Sequence, residues 1–260
     1  MPMGTCKLCL RNEDLQSSHL MPRALYVQAR GSGTTGNQDP YVMTKEGGKQ
    51  SSHQTKDYVF CRDCEQRFSS NDEKYVMGLV TKQDGSFPLL ETLSSVKPTI
   101  KGSAWEMYSY ADTPSVDRNQ LAYFAISVFW RASVHTWEQE DGENVRIDLG
   151  ARYNEEIRKY LMEESPIPRY AYLQLTVCSD ILNQRTFFFP HENRKVNDHS
   201  VGFLARGLTF FFRISRTLTG FQQRMSMVNE PNGWISVRNC RERPVWKLGN
   251  ASDSWDDEAH

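Results

Sequence analysis

The chain has 260 residues, 38% of them hydrophobic and 12% aromatic, which excludes a globally disordered protein and allows a sizeable core, in two units rather than one. No run of about 18 apolar residues occurs, and no apolar run follows basic residues at the N-terminus, so neither a membrane span nor a signal peptide is expected and a cytoplasmic protein is. The net charge of −1 hides an asymmetry: residues 1–75 carry ten bases and nine acids, 76–180 ten and fifteen, 181–247 eleven and four, and 248–260 no base and four acids.

In chain order, a first CxxC pair (Cys6, Cys9) precedes an apolar alternation around "HLMPRALYVQA". Residues 31–56, rich in Gly, Ser, Thr and Gln, predict a mobile connection or irregular hairpin with "YVMT" as its one strand-like piece. Tyr58 to Phe60 predict a short strand entering the second CxxC pair (Cys61, Cys64), and from Cys64 or Glu65 onward Phe68, Tyr75 and Val76 suit one side of a helix. Residues 80–117 are turn-rich with one strand, "AWEMYSYA". "SVDRNQLAYFAISVFWRASVHTW" is the clearest helix: Asp117 with Gln120 forms a cap, and apolar residues on more than one side make it a central core helix. Within it Trp130 and Arg131 read as core, Arg131 with a buried ion-pair partner. "ARYNEEIRKYLMEES" is a second amphipathic helix, with Tyr153, Ile157, Tyr160 and Leu161 inward and Pro166 and Pro168 as its stop. Strand-like runs follow: "YAYLQLTVCS", "RTFFFP", "VGFLARGLTFFFRIS" and "NGWISVR". The net +7 of residues 181–247 allows a nucleic-acid face or a solvated strand surface, and the alternation of "RTFFFPHENRK" and "LTFFFRISR" fits half-buried strands better than an aromatic binding surface. Residues 248–260 predict an acidic disordered tail.

Cys6, Cys9, Cys61 and Cys64 form C-x2-C…C-x2-C across 51 intervening residues. Each CxxC turn aims two thiolates at one tetrahedral centre, and a shell of four sulfurs suits structural Zn²⁺ and leaves no open position for chemistry. Closing the long loop costs only a few kcal/mol, against about 10–16 kcal/mol from structural zinc, so the insert is tolerable. Cys178 and Cys240 read as small buried residues, and His53 as a solvated one.

"CKLC" followed by "SHLMPRALY" and then "VFCRDCE" resembles the four-cysteine branch of the HNH (ββα-metal) endonucleases. More narrowly it is similar to bacterial HNH-type proteins carrying "SHxxP" and "CxxCE", whose second half has a "WRAS" helix matched here by residues 129–133. The likeness covers roughly residues 6–76 and, with that helix, reaches about residue 137. The resemblance implies that His19 is the general base, that Pro22 shapes the turn after its strand, and that a single Mg²⁺ or Mn²⁺ distinct from the zinc assists hydrolysis of DNA. Arg23, beside the turn, is a candidate phosphate contact. Three positions depart from the family pattern. Ser18 stands where an acid usually precedes the base. Glu65 replaces the histidine after the second CxxC and is the candidate ligand of the catalytic ion, a hard donor suited to Mg²⁺ or Mn²⁺. The motif's asparagine has no clean counterpart, with Asp57 near its place and Asn71, Asp72 and Glu73 further along.

The expectation is an α+β protein: a zinc-stapled ββα-metal module (1–78), a linker with a strand (79–116), a C-terminal domain of helices and mostly antiparallel sheet (117–247) and the tail (248–260). Its expected activity is that of an HNH-type endonuclease acting on DNA, an effector in bacterial phage defence held in check by a regulatory protein partner. The alternative is a catalytically inactive zinc-stapled module that binds nucleic acid or protein.

Overall fold

The computed structural model describes residues 1–30, 36, 38–43, 47–195 and 198–240. The acidic tail expected over 248–260 lies outside them, as do 31–35, 37 and 44–46 of the connection expected to be mobile. The chain is mixed α+β.

β1 (Met3–Thr5) and β2 (Asn12–His19) form a hairpin whose connection carries Cys6 and Cys9, and β2 pairs antiparallel with β5 (Lys56–Cys61). Between them come α1 (Arg23–Ala29), β3 (Tyr41–Met43) and β4 (Gly48–Gln50). The alternation around "HLMPRALYVQA" thus breaks at Pro22, whose fixed φ suits a helix entry, and Arg23 opens a helix rather than continuing a strand. β5 runs directly into α2 (Arg62–Phe68), which continues through a π-helical turn (Ser69–Glu73) into α3 (Lys74–Leu79). The second CxxC pair therefore sits at a strand-to-helix junction.

α4 (Pro88–Ser94), β6 (Ile100–Lys101) and β7 (Trp105–Ser109) follow. α5 (Arg118–Val134) is capped by Asp117, which accepts from Asn119 and Gln120 N–H, and is buried from Leu121 to Ser133. A small hairpin, β8 (Trp137–Glu138) and β9 (Asn144–Val145), leads to α6 (Ala151–Leu161). In α6 Ile157 and Leu161 are fully inward, while Tyr153 and Tyr160 are half-buried.

The remaining elements are β10 (Ala171–Cys178), β11 (Thr186–Lys195), β12 (Asp198–Ala205), β13 (Leu208–Ile214), α7 (Gly220–Arg224) and β14 (Trp234–Arg238). With β3, β4, β6 and β7 these strands build a nine-stranded sheet in the order β4-β3-β11-β12-β13-β10-β14-β7-β6. Only β3–β11 and β10–β14 are parallel, so the sheet is mostly antiparallel. The run "VGFLARGLTFFFRIS" is two strands, because Arg206 and Gly207 both take positive φ (52° and 86°) and close a two-residue turn. β3 and β4 belong to this sheet rather than to a free connection. α5 packs across one face: Phe124 and Phe129 meet Phe203, Phe210 and Phe212 at ring separations of 4.9–6.2 Å. The phenylalanines of "RTFFFP" and "LTFFFRIS" are therefore mostly core, and only Phe211 is half-exposed.

Candidate functional site

The β1–β2 connection is a tight knuckle, with Cys6 N–H bonded to the Arg11 carbonyl, Leu10 N–H bonded to the Cys6 carbonyl, and Leu10 at φ 63°. Lys7 N–H docks it on the Val59 carbonyl of β5 (3.2 Å), and Arg158 of α6 donates to the Leu8 carbonyl (3.0 Å). Cys61 ends β5 and Cys64 lies in the first turn of α2. The four sulfurs lie within 4.8 Å of one another. Cys9 Sγ and Cys61 Sγ are 3.8 Å apart. Zn–S bonds of about 2.3 Å in a tetrahedron place sulfurs about 3.8 Å apart, so this donor set fits zinc. Cys61 N–H points at Cys6 Sγ (3.3 Å). The Cys64 thiol and nearby N–H groups push the Cys6 thiol down to about 4, against the effect of burial, while Cys6 and burial push Cys64 up. One preformed thiolate among N–H donors is the charge state a metal recruits. The cluster can hold a metal ion such as zinc, and an all-sulfur shell would leave such an ion no open position for chemistry.

His19 ends β2, half-buried, opposite Lys56 of β5. Its Nε2 lies 3.0 Å from Gln54 Oε1. That acceptor keeps the proton on Nε2 and leaves the lone pair on Nδ1. Burial holds the ring below its ordinary pKa of 6.5; the charges of Lys56, Arg23 and Arg131 act in the same direction, and the Gln54 hydrogen bond opposes them. The imidazole is thus neutral near pH 7 and able to accept a proton. Arg23 is exposed at the start of α1 and close enough for its charge to act on the ring.

Ser18 is fully buried and committed to structure: its Oγ accepts from Phe60 N–H (3.1 Å) and donates to the Gln16 carbonyl (3.3 Å). Glu65 is half-buried in the first turn of α2. Burial raises its pKa, Arg131 and Ser18 lower it, and Glu73 and Cys6 raise it further. Arg131 connects these groups. Its Nη2 pairs with Glu73 Oε1 (2.7 Å), its Nη1 donates to the His19 carbonyl (3.3 Å), and its guanidinium lies 4.1 Å from the centre of the Phe68 ring. The expected buried ion pair of Arg131 is present, and it also braces the end of the His19 strand. An arginine in the apolar middle of a helix signals a partner, whereas nothing in the sequence marks Gln54.

Other candidates fall elsewhere. Asp57 is exposed and pairs with His135 at the end of α5 (2.8 Å). Asp72 is buried and Oδ2 has no hydrogen-bond partner among the described residues. His53 is exposed, and the Asn71 side chain lies outside the described set. Among the described residues neither His19 nor Glu65 joins two further His, Cys, Asp or Glu ligand atoms within 4.8 Å. Cys178, Asp180 and Cys240 do cluster in this way and are all buried. There the Asp180 carboxylate already accepts from Asn183 N–H, Asn183 Nδ2 and Cys240 N–H, which is the pattern of a capping knot.

No protein-family model matches the chain, and no curated protein and no solved structure matches it.

Proposed function

We propose that the chain is a metal-dependent endonuclease that hydrolyses DNA phosphodiester bonds, with Cys6, Cys9, Cys61 and Cys64 binding a structural zinc. The observation that carries this reading is His19: a neutral histidine at a strand end, its tautomer fixed by Gln54, with three cationic side chains close enough to act on it. Nδ1 would take the proton from a water attacking phosphorus. Arg23, exposed beside it, would hold the phosphate, and Arg131 would fix the strand end that aims the ring. Glu65 would hold a divalent ion; Mg²⁺ commonly keeps only one or two carboxylates and fills its shell with water and substrate phosphate. Such an ion, when bound, supplies stabilisation of the charge on the phosphoryl oxygens and the leaving oxygen.

A second reading, a zinc-stapled binding or assembly module without chemistry, is favoured by Ser18, whose hydroxyl is already used, and by the absence among the described residues of any set of three His, Cys, Asp or Glu ligand atoms that includes His19 or Glu65.

A supercoiled-plasmid assay with Mg²⁺ or Mn²⁺ separates the two. Nicking is expected for wild type and a loss of about a hundredfold or more for His19→Ala, within the usual 10²–10⁴ for removing a general base. The rate should fall on acidification with a midpoint below 6.5, since the proton-accepting form is lost only below the lowered pKa of His19. An intact plasmid with wild type in both metals would leave the binding reading standing.

A further inference from the structure

Four of the guanidinium-on-ring pairs fall along the edge of the large sheet formed by strand ends, beside the start of β10 (Tyr170, Tyr172), the end of β13 (Arg213, Arg216) and the start of β14 (Trp234). Arg169 and Arg216 both lie over the Tyr170 ring, at 5.7 and 5.3 Å from its centre. Arg213 lies over Tyr172 at 5.1 Å and Arg224 over Trp234 at 5.9 Å. Arg169, Arg216 and Arg224 are exposed, and none of the three has a carboxylate partner among the described residues. Arg169, Tyr170 and Arg216 border a cleft of about 240 Å³ whose one acidic lining residue is Glu230. Its floor is fixed: Asn229, at φ 60°, places Nδ2 3.1–3.2 Å from the carbonyls of Pro168, Arg169 and Ala171.

We propose that this edge binds the phosphodiester backbone of nucleic acid. A guanidinium laid on an aromatic ring keeps its N–H edge free for bidentate contact with phosphate and presents a flat face on which a base can stack. Nine of the eleven bases in residues 181–247 are arginine, the residue that suits planar, bidentate phosphate recognition better than lysine. The same residues could take an acidic peptide, but the pairing of each cation with a ring favours a ligand that offers both charge and stackable planes. The edge is anchored to the opposite end of α5 from His19: Arg118 donates to the Glu230 and Pro231 carbonyls, and Arg131 to the His19 carbonyl. Thirteen helical residues separate these two anchors by about 20 Å, on the order of six base-pair steps of 3.4 Å. As a surface that holds substrate it rests on the nuclease reading; as a nucleic-acid surface it does not.

The test uses the full chain carrying His19→Ala, so that binding is read without cleavage, and fluorescence anisotropy of labelled duplex and single-stranded DNA. Adding Arg169→Gln and Arg216→Gln should weaken DNA binding about tenfold or more at 0.1 M salt and reduce the slope of log K against log salt by about 2. Lys49→Gln with Lys101→Gln, the same charge change on the outer strands β4 and β6, should do neither. Unchanged binding in the arginine variant overturns the proposal, as does a chain that binds no DNA. Equal binding of polyglutamate, lost in the same variant, would assign the edge to acidic protein instead. The plasmid assay on the chain with intact His19 keeps the two failures apart: nicking with unchanged arginine-variant binding removes only this surface, and lost binding without any nicking removes only the nuclease.

Discussion

Asp72 shows how a single side chain can oppose the fold that surrounds it. Phe68, Asp72 and Val76 are four residues apart and all buried, so an acid occupies the middle of an apolar face, within the π-helical turn. Burial first, then the charges of Asp117, Glu73 and Glu163, push its pKa from 3.8 up to about 7, and Tyr123 and Tyr160 border it. The native state therefore holds a proton that the unfolded chain releases near pH 4. Stability contributed by the neutral form is complete at low pH and is lost as pH rises towards 7. At pH 8 the ionised carboxyl costs about 4 kcal/mol. Asp72→Asn is expected to stabilise the protein at pH 8 by up to about that amount and to change little at pH 4. Thermal unfolding of both proteins across this range checks it, and equal midpoints at pH 8 would mean that Asp72 has a partner. None of this was legible in the sequence, where Asp72 stood only among the residues further along from the place of the missing motif asparagine. His19, by contrast, was marked by Pro22 three residues on and by the flanking cysteines. Its partner Gln54 became visible only once β2 and β5 lay side by side.

At the scale of elements, the strand-to-helix junction at Cys61–Cys64 was readable because a CxxC turn has one dominant use, and the long helices because their period and caps are local properties. The sheet was less readable. Nothing local announces that β3 pairs with β11, about 145 residues away, or that Arg206–Gly207 closes a hairpin in place of the usual Asn-Gly or Asp-Gly. A metal in the cysteine cluster would fasten the knuckle to the junction that carries Glu65, with few other cross-links between the two among the described residues: a docking bond from Lys7, and an Arg11 ion pair to Asp63 that is exposed and weak. One equivalent of zinc per chain is accordingly expected by elemental analysis. Cys61→Ser or a strong chelator should release it and abolish cooperative unfolding of the N-terminal elements, since metal binding at such sites contributes on the order of 10 kcal/mol. A metal-free chain with an unaltered unfolding transition would remove the structural role of the site.

Across the whole molecule, a buried ion pair joins the N-terminal elements to the central helix. Arg131, 3% exposed, reaches from α5 to Glu73 in the π turn, to the His19 carbonyl and to the Phe68 ring. The His19 strand is thus held in place by a helix that also carries the phenylalanine core of the large sheet. Removing one partner of a buried pair leaves the other charge uncompensated and costs about 3–5 kcal/mol, whereas replacing both is often close to neutral. Arg131→Met and Glu73→Gln should each destabilise by about that amount, and the double variant should recover most of the loss in denaturant unfolding. Recovered stability need not recover function, because of the two partners it is Arg131 that contacts the His19 strand end and helps to lower the pKa of the ring. The double variant is expected to fold, keep its zinc and still nick plasmid at least about tenfold more slowly, with an acid midpoint moved back towards 6.5. If stability and nicking return together, Arg131 serves packing alone. If the two losses simply add, the Arg131–Glu73 pair does not couple the module to the core.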